Sequence, residues 1–260
     1  MDLLTLFFAN YFSYNFTSGG NPLSQFTIEK IFDINLLGID ISFTNSSLYM
    51  LLATFVIMIF MGFATRKKLL LPNRLQTIAE SIYNFVYNIV NSVIGEEGVK
   101  FFGLIFTLFT FILMCNLLGM TPYSFTATSQ IVVTLSLALL SFAVITIFAI
   151  YRNGFIGFFK MFIPSGVPLW IAPLIFIIEF FSFLIRPVTL SVRLFANMVA
   201  GHVLLKVVAG FIVSLSIFLK ALPLLFSIIM TGFEVFVALL QAYIFAILVA
   251  AYLAEVTKSH

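Results

Sequence analysis

Three ionisable side chains recur at intervals of seven residues within an apolar part of the chain. They are Glu179, Arg186 and Arg193, and Asn197 follows one helical turn later. Side chains at this spacing drift by only about 20° per step around an α-helix, so all four share one face. Arginine keeps its proton, and placing it in mid-membrane costs about 2.5–3.5 kcal/mol on insertion scales. The spacing therefore predicts a polar stripe that faces a hydrated, protein-lined interior.

A second set of polar residues, His202, Glu234 and Gln241, includes two groups that can carry protons. An imidazole titrates near physiological pH and a neighbouring carboxylate tunes it, so we predict that His202 and Glu234 are proton carriers. A structural ion pair between the two is the alternative that the residues leave open. Glu234 and Gln241 again lie seven residues apart, whereas His202 lies nine after Arg193, on roughly the opposite face. Charges that reach out from helix ends explain the remaining ionisable groups, namely Lys206, Lys220, Glu255 and Lys258.

Composition places the chain in a bilayer. Of its 260 residues, 62% are hydrophobic and 9% are charged, against about 25% charged residues in a soluble domain. The net charge of +3 comes from few residues, and there is no basic surface with interleaved aromatic residues, which excludes nucleic acid as a partner. Two histidines and the single Cys115 argue against a zinc site and a disulfide. No glycine-rich phosphate loop or hydrolase arrangement is present, so we expect neither a cofactor nor enzymatic activity of the chain alone.

Hydropathy predicts an all-α integral membrane protein. Residues 1–46 are predicted to form an extramembrane arm, and residues 47–260 the membrane domain. Basic residues Arg66, Lys67 and Lys68 follow the first span and mark its cytoplasmic or matrix end. The predicted elements are spans at about 48–65, 101–120 and 130–151, an amphipathic helix at 75–94 lying on the membrane surface and ended by Gly95, and long helices at about 169–219 and 222–256. Whether each long helix crosses once, crosses twice or tilts steeply stays open at this stage.

Four segments together resemble the subunit a family of F-type ATP synthases. The first is RPVTLSVRLFANMVAGH at residues 186–202. The others are NLLGMTPYSFT at 116–126, PSGVPL at 164–169 and LQAYIF at 240–245. The resemblance extends from about Asn21 to the C-terminus. It implies a stator subunit that forms two aqueous half-channels against a rotating ring of c subunits and couples proton flow to ATP synthesis.

The resemblance also assigns roles. Arg193 matches the essential arginine that keeps passing c-ring carboxylates ionised and separates the half-channels. Glu179 belongs to the cytoplasm- or matrix-side channel, and Arg186 and Asn116 support the site. The outer half-channel is implied to be lined by Asn197, His202, Glu234 and Gln241. Some bacterial relatives carry Asp at the position of Gly119, so this chain's outer channel would lack that carboxylate.

Fold, partners and location follow from the same resemblance. The two long polar helices are implied to lie strongly tilted, nearly flat, beside the ring. Partners are the c-ring, the peripheral stalk subunit b, other membrane-sector subunits and lipids, and dimerisation of the whole complex stays open. Many bacterial members have Glu at the position of His202 and His at that of Glu234. The exchanged arrangement here favours the mitochondrial inner membrane, with an alphaproteobacterial inner membrane as the alternative.

Two other functional classes are alternatives. A purely structural membrane subunit would have no reason to bear the cost of Arg193 and its polar stripe. A secondary transporter or antiporter would need a substrate site at discontinuous helices and an internal repeat. The sequence shows neither feature.

Overall fold

A computed structural model describes residues 26–33, 35–36, 39–40, 42–66, 73–121, 124–163, 168, 170–216 and 219–258. Outside this set lie 1–25, 34, 37–38 and 41 of the predicted arm, Lys67 and Lys68 of the basic cluster, 122–123 of the NLLGMTPYSFT segment, and 164–167 and 169 of the PSGVPL segment. Within it, the α-helices are α1 (Asn45–Thr65), α2 (Arg74–Val93), α3 (Phe102–Gly119), α4 (Ile131–Lys160), α5 (Ala172–Ser214) and α6 (Ala221–Lys258). A 3₁₀ helix, Glu96–Phe101, precedes α3.

Five of these helices are long and apolar enough to cross a membrane, namely α1, α3 with its 3₁₀ helix, α4, α5 and α6. The chain is thus a helical, multi-pass membrane protein. In α1 and α3 apolar side chains surround the whole helix, which is the pattern of segments surrounded by lipid or protein on every side.

Helix α2 differs because its apolar residues are confined to one face. Asn73 precedes the helix and its side chain accepts a hydrogen bond from the Arg74 N–H, as N-cap residues do. Val86, Ile89 and Val90 are buried. The helix ends at Val93, and Gly95 follows with φ at 89°, a backbone conformation that favours glycine.

Helix α4 spans Ile131–Lys160 as two helical segments joined at a kink, and the first segment ends close to the predicted end at 151. Arg152 forms an ion pair with Glu97 of the 3₁₀ helix. The regular backbone is interrupted only at Gly154, where φ is 70° and ψ is 168°.

The long helices α5 and α6 contain 43 and 38 residues, respectively. At about 1.5 Å per residue, each is roughly twice as long as a hydrocarbon core of about 30 Å. Helix α5 continues through Pro187, which removes one backbone hydrogen bond without ending the helix. Each helix must therefore tilt strongly, bend or extend beyond the bilayer.

The described part of the arm contains short strands, which the hydropathy pattern did not predict. Strand β1 (Lys30–Phe32) pairs antiparallel with β4 (Phe43–Thr44), and β2 (Asn35–Leu36) pairs with β3 (Ile39–Asp40). Asn45, the first residue of α1, joins this arm to the helix: its backbone N–H donates to the Glu29 carbonyl and its amide nitrogen to the Thr27 carbonyl, both at 3.1 Å.

The chain divides into two compact units. The first comprises Met1–Ile59, Phe111–Gln130 and Leu194–Gln241, and the second comprises Phe60–Thr110, Ile131–Arg193 and Ala242–His260. The core of the first unit contains Ile112, Met198 and Ala238. The core of the second contains Ile105, Phe245 and Val249.

We predict that Gly154→Ala destabilises the protein. The backbone at Gly154 lies in a region that is essentially restricted to glycine, where a Cβ atom costs about 1–3 kcal/mol. Thermal unfolding of the purified assembled complex should show a lower midpoint for this subunit. The control is Gly62→Ala in α1, where a Cβ atom meets nothing within 4 Å and helix propensity favours alanine. Equal midpoints for the two variants would contradict a constrained kink.

Candidate functional site

His202 of α5 and Glu234 of α6 lie together inside the first unit. Their atoms His202 Nδ1 and Glu234 Oε1 are 3.5 Å apart, and the two side chains are 12% and 7% exposed. This is slightly longer than an ordinary N–H···O hydrogen bond but within ion-pair range. An imidazole and a carboxyl group at this distance can hold one proton between them, on either the nitrogen or the oxygen.

Thr126 determines which imidazole nitrogen faces the carboxyl group. Its hydroxyl lies 2.9 Å from His202 Nε2 and 3.2 Å from the carbonyl oxygen of Gly119. When the hydroxyl donates its hydrogen to that carbonyl, its oxygen accepts from His202 Nε2–H. The exchangeable position is then Nδ1, which faces Glu234. This assignment of the tautomer follows from the hydrogen-bond network.

Asn116 links α6 to the segment before α4 beside this site. It is fully buried. Its amide nitrogen donates to the carbonyl of Ala238 at 3.3 Å, and its amide oxygen accepts from the Thr128 hydroxyl at 2.8 Å. Ala238 lies one helical turn after Glu234, so Asn116 fixes α6 close to the carboxyl group. The structure thereby gives the predicted supporting residue a definite contact.

Two glycines make the close packing of the site achievable. A Cβ atom on Gly201 would lie 2.8 Å from Glu234 Oε1, and one on Gly119 would lie 2.6 Å from the Thr126 side chain. Both distances are shorter than nonbonded contacts allow. A side chain at position 119, such as the Asp of some bacterial relatives, would displace Thr126 from its present place.

Two further buried polar groups belong to the first unit. Gln241 is buried on α6, seven residues after Glu234. Lys206 lies one turn after His202 on α5, and its Nζ atom is buried with no hydrogen-bond partner among the described residues. The sequence suggested that Lys206 extends its charge to the surface, whereas the structure places its nitrogen inside. No group of three or more metal-binding side chains occurs among the described residues.

Arg193 is oriented differently from the paired groups. It lies near the middle of α5 and is exposed on the outside of the chain. It forms no hydrogen bond or salt bridge with any described residue. Its neighbour Ser191 is fully buried and bonds to the Thr134 hydroxyl of α4 at 3.1 Å, which fixes this part of α5. Asn197 and Glu179 lie on the same helix with half-buried side chains.

Arg186 is paired within the second unit. Its guanidinium binds both carboxylate oxygens of Glu255 near the end of α6 and lies 4.7 Å from the ring centroid of Tyr252. Bidentate contacts of this kind fix geometry as well as charge. Glu255 is therefore an ion-pair partner of Arg186 and not, as the sequence suggested, a carboxylate that simply extends from a helix end.

Sequence reasoning missed Thr126, Thr128 and Gly201 as parts of the site. The signal for the first two was the run of hydroxyl and amide side chains at 124–130 between two apolar spans, most of which are buried. Buried hydroxyl groups need partners, so such a run can indicate a polar site. Gly201 offered no comparable signal, because its role depends on the helix that packs against it.

Comparison with known proteins identifies the family. The family model described as ATP synthase A chain matches residues 47–254, a range that contains every predicted site residue. Members of this family are membrane-sector subunits of ATP synthase that take part in proton translocation and do not themselves carry out catalysis. The match covers most of the chain, and the five apolar helices agree with it. The chain therefore belongs to the ATP synthase A chain family, the subunit a family of F-type ATP synthases.

Proposed function

We propose that this chain is the stator wall beside the rotating c-ring and forms two aqueous half-channels there, with Arg193 separating them. Protons enter through one half-channel, travel around on the ring carboxylates and leave through the other, which couples proton flow to ATP synthesis. A secondary transporter is set aside because the chain belongs to the subunit a family.

The unpaired guanidinium of Arg193 is the observation that carries this proposal. The side chain is exposed on an apolar helix, and no described residue of the chain neutralises it. An ion in hydrocarbon needs a partner of opposite charge, which must then come from another molecule. A c-ring carboxylate fits, because an opposite charge within about 4–6 Å keeps a carboxylate ionised.

The face of α5 around Arg193 supports a close approach by a neighbouring helix. Ala196 and Ala200 lie about one and two turns further along the same face, and both are exposed. Small residues at such intervals let helix backbones come close in membranes. A ring helix could thereby bring its carboxylate within reach of the guanidinium.

His202 and Glu234 supply the proton-carrying chemistry of the proposed outer half-channel. Their shared proton position, between Nδ1 and Oε1, can accept a proton from water and pass it towards the ring. Buried Gln241 and half-buried Asn197 provide amide groups for the same route. Glu179, on α5 before Arg193, is assigned to the other half-channel.

Partners and location follow from this role. The c-ring is the main partner. The other partners are the peripheral stalk subunit b, other membrane-sector subunits and lipids. The order of the pair, histidine at 202 and glutamate at 234, supports placement in the mitochondrial inner membrane.

We predict that Arg193→Ala abolishes ATP-driven proton pumping and ATP synthesis while the complex still assembles. Without the fixed charge, ring carboxylates are no longer held ionised and the half-channels are no longer separated. Quenching of a pH-sensitive dye in membrane vesicles measures pumping. Arg74→Ala, at the exposed start of α2, is the matched control and should pump normally. Normal pumping by Arg193→Ala would overturn the proposal.

Exchange of the pair tests whether His202 and Glu234 act together. The His202→Glu variant has two carboxyl groups at the site, and the Glu234→His variant has two imidazoles. Each single change should lower passive proton conduction by on the order of tenfold or more. The double variant restores one imidazole and one carboxyl group, so it should conduct better than either single variant. Conduction is measured in vesicles stripped of the catalytic sector. A double variant no better than the worse single one would show that the groups act independently.

Gly201→Ala tests the packing that holds the pair. Its Cβ atom should push the Glu234 carboxyl group away from His202, and the predicted result is slower proton conduction with normal assembly. Gly232→Ala in α6 is the control, since a Cβ atom there meets nothing within 4 Å. Equal conduction by both variants would show that the position of the carboxyl group does not limit the rate.

A further inference from the structure

A cavity of about 320 Å³ in the second unit lies between the end of α1, the first half of α2 and the beginning of α3. Its size falls at the lower end of the range of about 300–1,000 Å³ for small-molecule pockets. None of the residues assigned to proton translocation lines it. The side chains that matter for its chemistry are Met61, Ala64, Thr65, Glu80, Tyr83 and Phe106.

The lining favours a cation. Glu80 is the one charged side chain among the described residues that line the cavity, and Gln76 Nε2 donates to its Oε1 at 2.7 Å, which holds the carboxylate in place. Tyr83 and Phe106 form aromatic walls with ring centroids 6.2 Å apart. The faces of aromatic rings attract cations within about 6 Å, so the carboxylate and the rings act in the same direction.

The position of the cavity along α1 indicates what kind of cation fits. Thr65 is the last residue of this membrane-spanning helix, and the end of a span lies at the level of the lipid headgroups. Arg66 follows directly and is exposed, and a guanidinium binds phosphate oxygens well. Met61 and Ala64 precede Thr65 and offer apolar contact on the membrane side. The cavity thus offers a carboxylate and apolar surface, and the guanidinium of Arg66 follows its lining residue Thr65, so the three kinds of group that bind a zwitterionic phospholipid are present.

We propose that this cavity binds the headgroup of a phospholipid that carries a primary ammonium group. The ammonium lies between the Glu80 carboxylate and the ring of Tyr83, and the phosphate contacts Arg66. A primary ammonium donates hydrogen bonds to the carboxylate and to the Thr65 hydroxyl, whereas a quaternary choline group has no hydrogen to donate. The site therefore prefers phosphatidylethanolamine to phosphatidylcholine.

The test uses the whole complex in lipid nanodiscs that contain a photoactivatable phosphatidylethanolamine. After illumination, mass spectrometry locates the attached lipid, which we expect on peptides containing Met61 or Tyr83. Glu80→Gln should lower this labelling by about tenfold, the effect of losing one charge-assisted hydrogen bond. Glu96→Gln, an exposed carboxylate outside the cavity, is the matched control. Tyr83→Leu is a second variant that should also reduce labelling.

Three outcomes would overturn the proposal. One is equal labelling by phosphatidylethanolamine and phosphatidylcholine probes, and another is unchanged labelling in both Glu80→Gln and Tyr83→Leu complexes. The third is a cavity occupied by protein, seen as cross-links from Tyr83 to a partner subunit in place of lipid. Proton pumping does not enter the readout, so the result is independent of the role proposed for Arg193.

Discussion

The cost of placing polar and charged groups in an apolar environment governs this structure. Asn116 satisfies its amide with the Ala238 carbonyl and the Thr128 hydroxyl, and Arg186 binds Glu255. His202 and Glu234 face each other at ion-pair distance, although Glu234 Oε1 accepts no hydrogen bond from the described residues. Each contact joins different helices or a helix and a loop, because a buried polar group without a partner costs more than a hydrogen bond gains. The polar residues therefore determine where the long apolar helices meet.

Close packing at these polar contacts depends on the absence of side chains at particular positions. Gly201 allows the Glu234 carboxyl group to lie against α5 beside His202, and Gly119 leaves room for Thr126. Thr126 in turn holds the imidazole through Nε2. The space beside Gly119 therefore affects the orientation of the Thr126 hydroxyl, and that orientation affects the tautomer of His202. An added methyl group at Gly201 would act on the His202–Glu234 pair even though glycine has no chemistry of its own.

Local periodicity was the part of this structure that could be predicted from sequence. The spacing of Glu179, Arg186 and Arg193 predicted a long helix that contains all three, and α5 does. The pairing of Arg186 with Glu255 joins residues far apart in the chain, and helical spacing carries no information about such contacts. The strands of the arm are too short for an alternating pattern to be recognised.

Arg193 differs from His202 and Glu234 in the part that it can play in moving protons. A histidine and a carboxyl group can exchange a proton because both titrate in an accessible range. A guanidinium stays protonated, so it can attract or repel protons but cannot relay them. His202 and Glu234, the residues proposed to relay protons, are buried beside each other. A fixed charge that acts on another molecule must instead remain uncompensated within its own chain and face outward, and Arg193 meets both requirements within the described residues.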